Sequence, residues 1–118
     1  MAISQILDVT AEYSVNKIHT LDIGGYDYAI VQLVNPSAAV TFKTSNDANA
    51  ITGASDGSAV SAINFTVVQG TNLATSAASS TLSVTGLIRF GYIGKFLQID
   101  GGGTVTCDKI IVRLFKIS

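Results

Sequence analysis

YDYAIVQLVNP, residues 26–36, decides the fold class. Ala29, Val31 and Leu33 fall on one side of an extended chain. Tyr26, Tyr28, Ile30 and Val34 fall on the other, with Gln32 among them. Side chains alternate across a strand with period two, whereas an amphipathic helix repeats its apolar residues three and four apart. Asn35-Pro36 ends the strand, because proline has no N–H for a ladder and biases the residue before it. A strand that is apolar on both sides needs cover on both, from helices or from another subunit.

The end of the chain repeats the pattern. In KIIVRLFKI, residues 109–117, Ile110, Val112 and Leu114 share one face; Ile111, Phe115 and Ile117 share the other with Arg113. Between these two stretches, residues 38–44, 63–69, 81–86, 87–94 and 95–100 also read as short strands, as does VNKIHTLDI at 15–23. Gly101-Gly102-Gly103 reads as a hairpin turn, since glycine reaches positive φ without steric cost. No internal stretch carries a helical stripe. Residues 1–14, with isolated Ile3, Ile6 and Leu7, read as a short helix or an N-terminal arm laid on a neighbour. Seven to nine short strands predict an all-β, two-sheet antiparallel β-sandwich over residues 15–118, with jelly-roll connections among its topologies. VTFKTSNDANAITGASDG, residues 40–57, starts as a strand and continues as a polar excursion, so a long surface loop is expected at about 45–62. Ile51 and Val60 are its candidate anchors.

At 118 residues the chain is one domain. Charged residues make up 13%, about half the usual share, and Ala, Ser, Thr and Gly fill 48 positions. So uncharged a surface suits burial among neighbours better than life as a monomer. Net charge is −1 with seven basic residues spread along the chain, so no Lys/Arg stripe tracks a phosphate backbone and nucleic-acid binding is not expected. The apolar runs are far too short to span a membrane, and MAISQILDV has no basic leader, so no signal peptide is expected.

No chemistry-bearing constellation emerges. His19 is the sole histidine and has no nucleophile elbow near it; Cys107 is the sole cysteine, so no disulfide or zinc set can form within the chain. Asp47, Asp56 and Asp100 sit beside glycines but match no calcium-loop spacing, and read as turn residues. The glycine triplet precedes no helix that could hold a phosphate. Tyr13, Tyr26, Tyr28 and Tyr92 could form a sugar platform, or else edge the core or a subunit contact. The reading is of a non-enzymatic protein with no catalytic residue, metal or cofactor.

VTFKTSND at 40–47, TLSVTGLIRFGYIGKFLQID at 81–100 and GGGTVTCDKIIVRLFKIS at 101–118 follow one another in an order that resembles a small β-sandwich module of tailed-bacteriophage virion proteins. The resemblance is to capsid decoration (cement) proteins above all. It implies a structural virion component, made in the host bacterial cytoplasm and carried on the capsid surface, that ties together the major capsid protein lattice. It also implies a homo-oligomer, most readily a trimer, with a tail or neck accessory or a carbohydrate- or receptor-binding module as the alternative. The residues expected at the subunit or capsid interface are Ile3, Ile6, Leu7, Tyr26, Tyr28, Ile30, Ile51 and Val60.

Overall fold

The computed structural model describes residues 2–47, 64–91 and 93–117, the side chains of Ala2 and Ile3 excepted. Within them the chain forms two antiparallel sheets face to face, the sandwich that the alternating strands predict. The larger sheet has six strands in the order β1 (Ala2–Asp8), β11 (Lys109–Ile117), β3 (Tyr28–Val34), β9 (Gly86–Gly91), β6 (Gly70–Asn72) and β7 (Ala78–Ser79). The smaller has β2 (Ile18–Asp22), β10 (Phe96–Asp100), β4 (Val40–Ser45) and β5 (Thr66–Val67), with β8 (Thr81–Leu82) also on β4. The chain changes sheet at nearly every connection, which ties the two layers together through the whole sequence.

Period-two alternation fills the space between the layers. Register sets Val31 between Val112 and Ile88, Ala29 between Leu114 and Phe90, and Leu33 beside Ile110. All of these are buried, as are Phe42, Leu97 and Ile99 facing them from the smaller sheet. Removing each large side chain from water stabilises the fold by about 1.5–3 kcal/mol. Phe42 and Phe90 meet across the layers with ring centroids 5.2 Å apart and planes tilted by 52°, a favoured aromatic geometry. Asn35 ends β3 in the left-handed region at φ 51°, and its amide donates to Asp108 Oδ2 at 2.8 Å.

The N-terminal segment, expected as a short helix or an arm, is a strand over its first part and a short helix only from Thr10. Ala2–Asp8 is a strand paired residue for residue with β11, from Ala2 opposite Ile117 to Asp8 opposite Ile111. β11 would otherwise leave a full row of backbone groups unpaired, and Leu7 adds apolar area against the core. The sandwich therefore begins at residue 2. Thr10–Asn16 then forms the helix α1, too short to persist alone. Tyr13 pins it: the ring is buried and its hydroxyl donates to Val105 O at 2.8 Å.

The glycine triplet is a turn, but not a hairpin. β10 and β11 lie in different sheets, so the turn carries the chain from one layer to the other. Gly102 and Gly103 take positive φ, at 63° and 81°. Gly101 is needed for a different reason: a Cβ there would collide with the Tyr13 hydroxyl and come within 2.8 Å of Lys17 O. Of the excursion expected at 45–62, only Ser45, Asn46 and Asp47 fall within the described residues.

Gly101→Ala is expected to destabilise the fold by at least about 2 kcal/mol in urea unfolding, because a buried hydroxyl and a backbone carbonyl must both shift. Gly102→Ala, where added bulk meets nothing, costs only the left-handed backbone, about 1–2 kcal/mol. Equal losses would contradict this account of the turn.

Candidate functional site

The inward faces of β11, β3 and β9 are fixed by the core, so alternate residues of the same strands must point away from it. These outward residues form cross-strand rows on the larger sheet. One row runs Ile6, Arg113, Ile30, Arg89, Thr71; a second runs Asp8, Ile111, Gln32, Leu87; a third runs Ser4, Phe115, Tyr28, Gly91. Ile117 extends the far end. Among the described residues seven large hydrophobic side chains are exposed, and Ile6, Leu73, Leu87 and Ile117 on or beside this face are four of them. The smaller sheet is different. Ile18, Thr20, Phe96 and Gln98, at the centre of its outward side, are buried, while Asp22, Thr41, Lys43 and Asp100 around them are exposed or half-buried.

Two shallow hollows mark the face. One, of about 260 Å³, lies between Ile6, Ile30, Leu73, Leu87, Ile111 and Arg113. The other, of about 300 Å³, lies between Tyr28, Ile30, Arg89, Phe115 and Ile117. Ile30 is the ridge common to both. The Arg113 guanidinium sits 4.4 Å from the Phe115 ring centroid, a cation–π contact that holds it flat on the sheet. Among the described residues neither Arg89 nor Arg113 has a carboxylate within ion-pair distance; the pairs formed are Lys43–Asp100 at 2.7 Å and Lys95–Asp22 at 3.9 Å. The face is therefore largely apolar at its centre, with two arginines that have no ion pair among the described residues, and with Asp8 and Lys109 at its rim.

Of the expected interface residues, the structure gathers Ile6, Tyr28 and Ile30 on this face. Leu7 points the other way, toward the core, as its neighbour Ile6 requires. Tyr26 precedes β3, lies half-buried against the core, and donates its hydroxyl to Gln5 Oε1 at 2.8 Å. Ile3 holds a place in β1 opposite Lys116. Ile51 and Val60 lie outside the described residues. Sequence reasoning left out Leu87 and Arg89, whose alternation with Ile88 and Phe90 was available as a signal. It also left out Leu73, which comes from the turn after β6 and carries none.

The other candidates find local uses. Asp100 pairs with Lys43 and accepts from Gly102 N–H at 2.7 Å; Asp47 accepts from the Asn64 amide at 2.9 Å. Asp56 and Tyr92 lie outside the described residues. Among the described residues no group of three or more His, Cys, Asp or Glu could hold a metal ion. Tyr13 is buried, Tyr26 is tied to Gln5, and Tyr28 is half-buried in β3, so the described tyrosines do not form an exposed platform. Burial pushes the half-buried Cys107 thiol above its usual range, away from the reactive thiolate. No described helix is long and apolar enough to cross a membrane.

No protein-family model and no curated protein matches the chain. Solved structures do. The SPBc2 prophage-derived protein YomS superposes with a TM-score of 0.66 at 10% identity, over 98% of this chain and 96% of YomS. The PBSX exported protein XepA superposes with a TM-score of 0.63 at 11% identity, over 98% of this chain and 38% of XepA. The chain thus spans well under half of XepA. At these identities the likeness is one of fold: a small two-sheet β-domain that prophage-encoded proteins also use.

His19 gives a pH prediction. Its Nδ1 is buried with no partner, and burial pulls its pKa below the usual value against a smaller opposing effect of Glu12. The folded state thus favours the neutral ring. Its contribution is complete above the unfolded pKa of about 6.5 and is lost as pH falls toward the lower folded value. The difference in urea midpoint between wild type and His19→Leu should shift in favour of the variant on acidification below pH about 6.5; a difference independent of pH would contradict this.

Proposed function

We propose that this chain is a non-enzymatic structural subunit of a phage particle, and that it works by seating the outer face of its six-stranded sheet on a neighbouring protein. That face carries the proposal: a sheet that has a buried core beneath it still presents Ile6, Ile30, Leu87, Phe115 and Ile117 outward. Its four long strands at about 4.8 Å, each of about six residues at about 3.4 Å, give roughly 19 by 20 Å, about half of one partner's share of an ordinary protein interface. Exposed apolar patches of this size mark interaction surfaces on soluble proteins.

The partner proposed is the major capsid protein lattice, with the chain as a decoration protein on the capsid surface. The order of the strand and turn motifs supports this reading, as does a fold shared with prophage-encoded proteins. Lattice contacts of this kind need area and shape rather than chemistry, and an uncharged rigid sandwich supplies both. Arg89 and Arg113 would give specificity by meeting carboxylates on the lattice, since an unmatched partner would leave two guanidiniums desolvated and unpaired.

Electron microscopy of particles made with and without the protein tests the proposal. The expected result is density for this subunit over the capsid shell, lost with Ile30→Asp while the purified variant keeps its wild-type circular dichroism. Density on the tail or neck would move the chain to an accessory role there. Particles that never contain it, or full occupancy by Ile30→Asp, would overturn the docking face.

A further inference from the structure

β1 closes one end of the six-stranded sheet, and among the described residues its far side carries no strand. The other edge strands are shorter: two residues for β7 at the far end of this sheet, and five for β2 and two for β5 at the ends of the smaller sheet. Proteins commonly blunt a long edge with lysine, proline or a bulge. Ala2–Asp8 has none of these, keeps one-to-one register with β11, and carries one charge, on Asp8. Val9 N–H donates to Ile110 O at 3.0 Å, which sets the direction of the peptide groups. Alternate residues of a strand direct their backbone groups to opposite sides. Gln5 and Leu7 therefore bond to β11, while the N–H and C=O of Ser4 and Ile6 face the open edge.

We propose that this edge pairs antiparallel with the β1 edge of a second copy of the chain, about a two-fold axis through Gln5. Ser4 then stands opposite Ile6 of the partner subunit, and Gln5 opposite Gln5 of the partner subunit. Every outward-facing peptide group meets another, giving about eight ladder hydrogen bonds over the seven residues. A shift by one residue would set these groups against ones already bonded to β11. A shift by two would shorten the ladder. The strand is self-complementary in charge as well: the two Asp8 carboxylates fall at opposite ends, about 20 Å apart. Ile6, 68% exposed in one copy, gains Ile6 of the partner subunit as its diagonal neighbour. Ile6 belongs to the outer face, so the pairing joins two such faces into one continuous surface. The assembly closes at two copies rather than the three that the family resemblance implies, and it forms whether or not the capsid is the partner.

Light scattering on the purified full chain across a concentration series is expected to give twice the mass of one chain. Ser4→Pro removes an outward N–H without touching the bonds to β11, so it should give the mass of one chain with unchanged circular dichroism. In a Cys107→Ser background, Gln5→Cys should form a disulfide-linked dimer under mild oxidation, because directly opposed residues in such a pair lie within bridging distance. Ile30→Cys in the same background should not. A wild-type monomer at every concentration, a dimer untouched by Ser4→Pro, or cross-linking through Ile30→Cys in place of Gln5→Cys would each overturn the proposal. Binding of particles by a chain that stays monomeric would overturn the pairing while leaving the docking role standing.

Discussion

The burial of one set of alternate residues on β11, β3 and β9 fixes everything else in this molecule. Val31, Leu33, Ile88, Val112 and Leu114 are essentially out of water. A slip of one residue in any of these pairings would exchange that set for Ile30, Gln32, Arg89, Ile111 and Arg113, two of them charged, which the core could not accept. Register is thus strongly specified. Its consequence is that Ile6, Ile30, Ile111, Phe115 and Ile117 must point outward. The apolar outer face is what remains when apolar strands bury only one of their sides, and it stays costly until something covers it.

That face differs from an ordinary sheet surface in its charges. Arg113 lies against Phe115 and neither guanidinium has an ion pair among the described residues; Asp8, at the rim of the face, is taken up by Thr10, while Asp22 and Asp100 pair with lysines and Asp108 with Asn35 away from it. Two positive charges in an apolar field reject a purely apolar partner and reward one with carboxylates. The side chains that could carry chemistry have structural surroundings instead. Burial lowers the pKa of His19 and raises that of the Cys107 thiol, and the Tyr13 hydroxyl anchors a helix.

Much of this architecture was legible. Period-two alternation in residues 28–34 and 109–117 assigned the inward and outward sets correctly, and Asn35-Pro36 ended a strand where the left-handed Asn35 does. The first eight residues were not legible, because Ile3, Ile6 and Leu7 fit a helical spacing as well as a strand. Only the partner strand, more than a hundred residues later, decides between them. A short helix was one reading of residues 1–14, but its place at Thr10–Asn16 is set by Tyr13 reaching Val105, 92 residues away, which nothing local encodes. The glycine triplet announced a turn, yet whether a turn joins neighbours in one sheet or carries the chain between sheets depends on pairings that no local motif encodes. Tyr26 was grouped with Tyr28 by alternation that starts only at Tyr28; Gln5 takes its hydroxyl instead.

Hydroxyl-radical footprinting of the free protein against the protein bound to phage particles tests the docking face most directly. Side chains on the outer face of the six-stranded sheet, Ile30, Leu87, Ile111, Phe115 and Ile117, should lose reactivity on binding, while Val15 on the helix and Val84 before β9 keep theirs. Protection of Val15 and Val84 with the five outer-face residues unchanged would contradict the account.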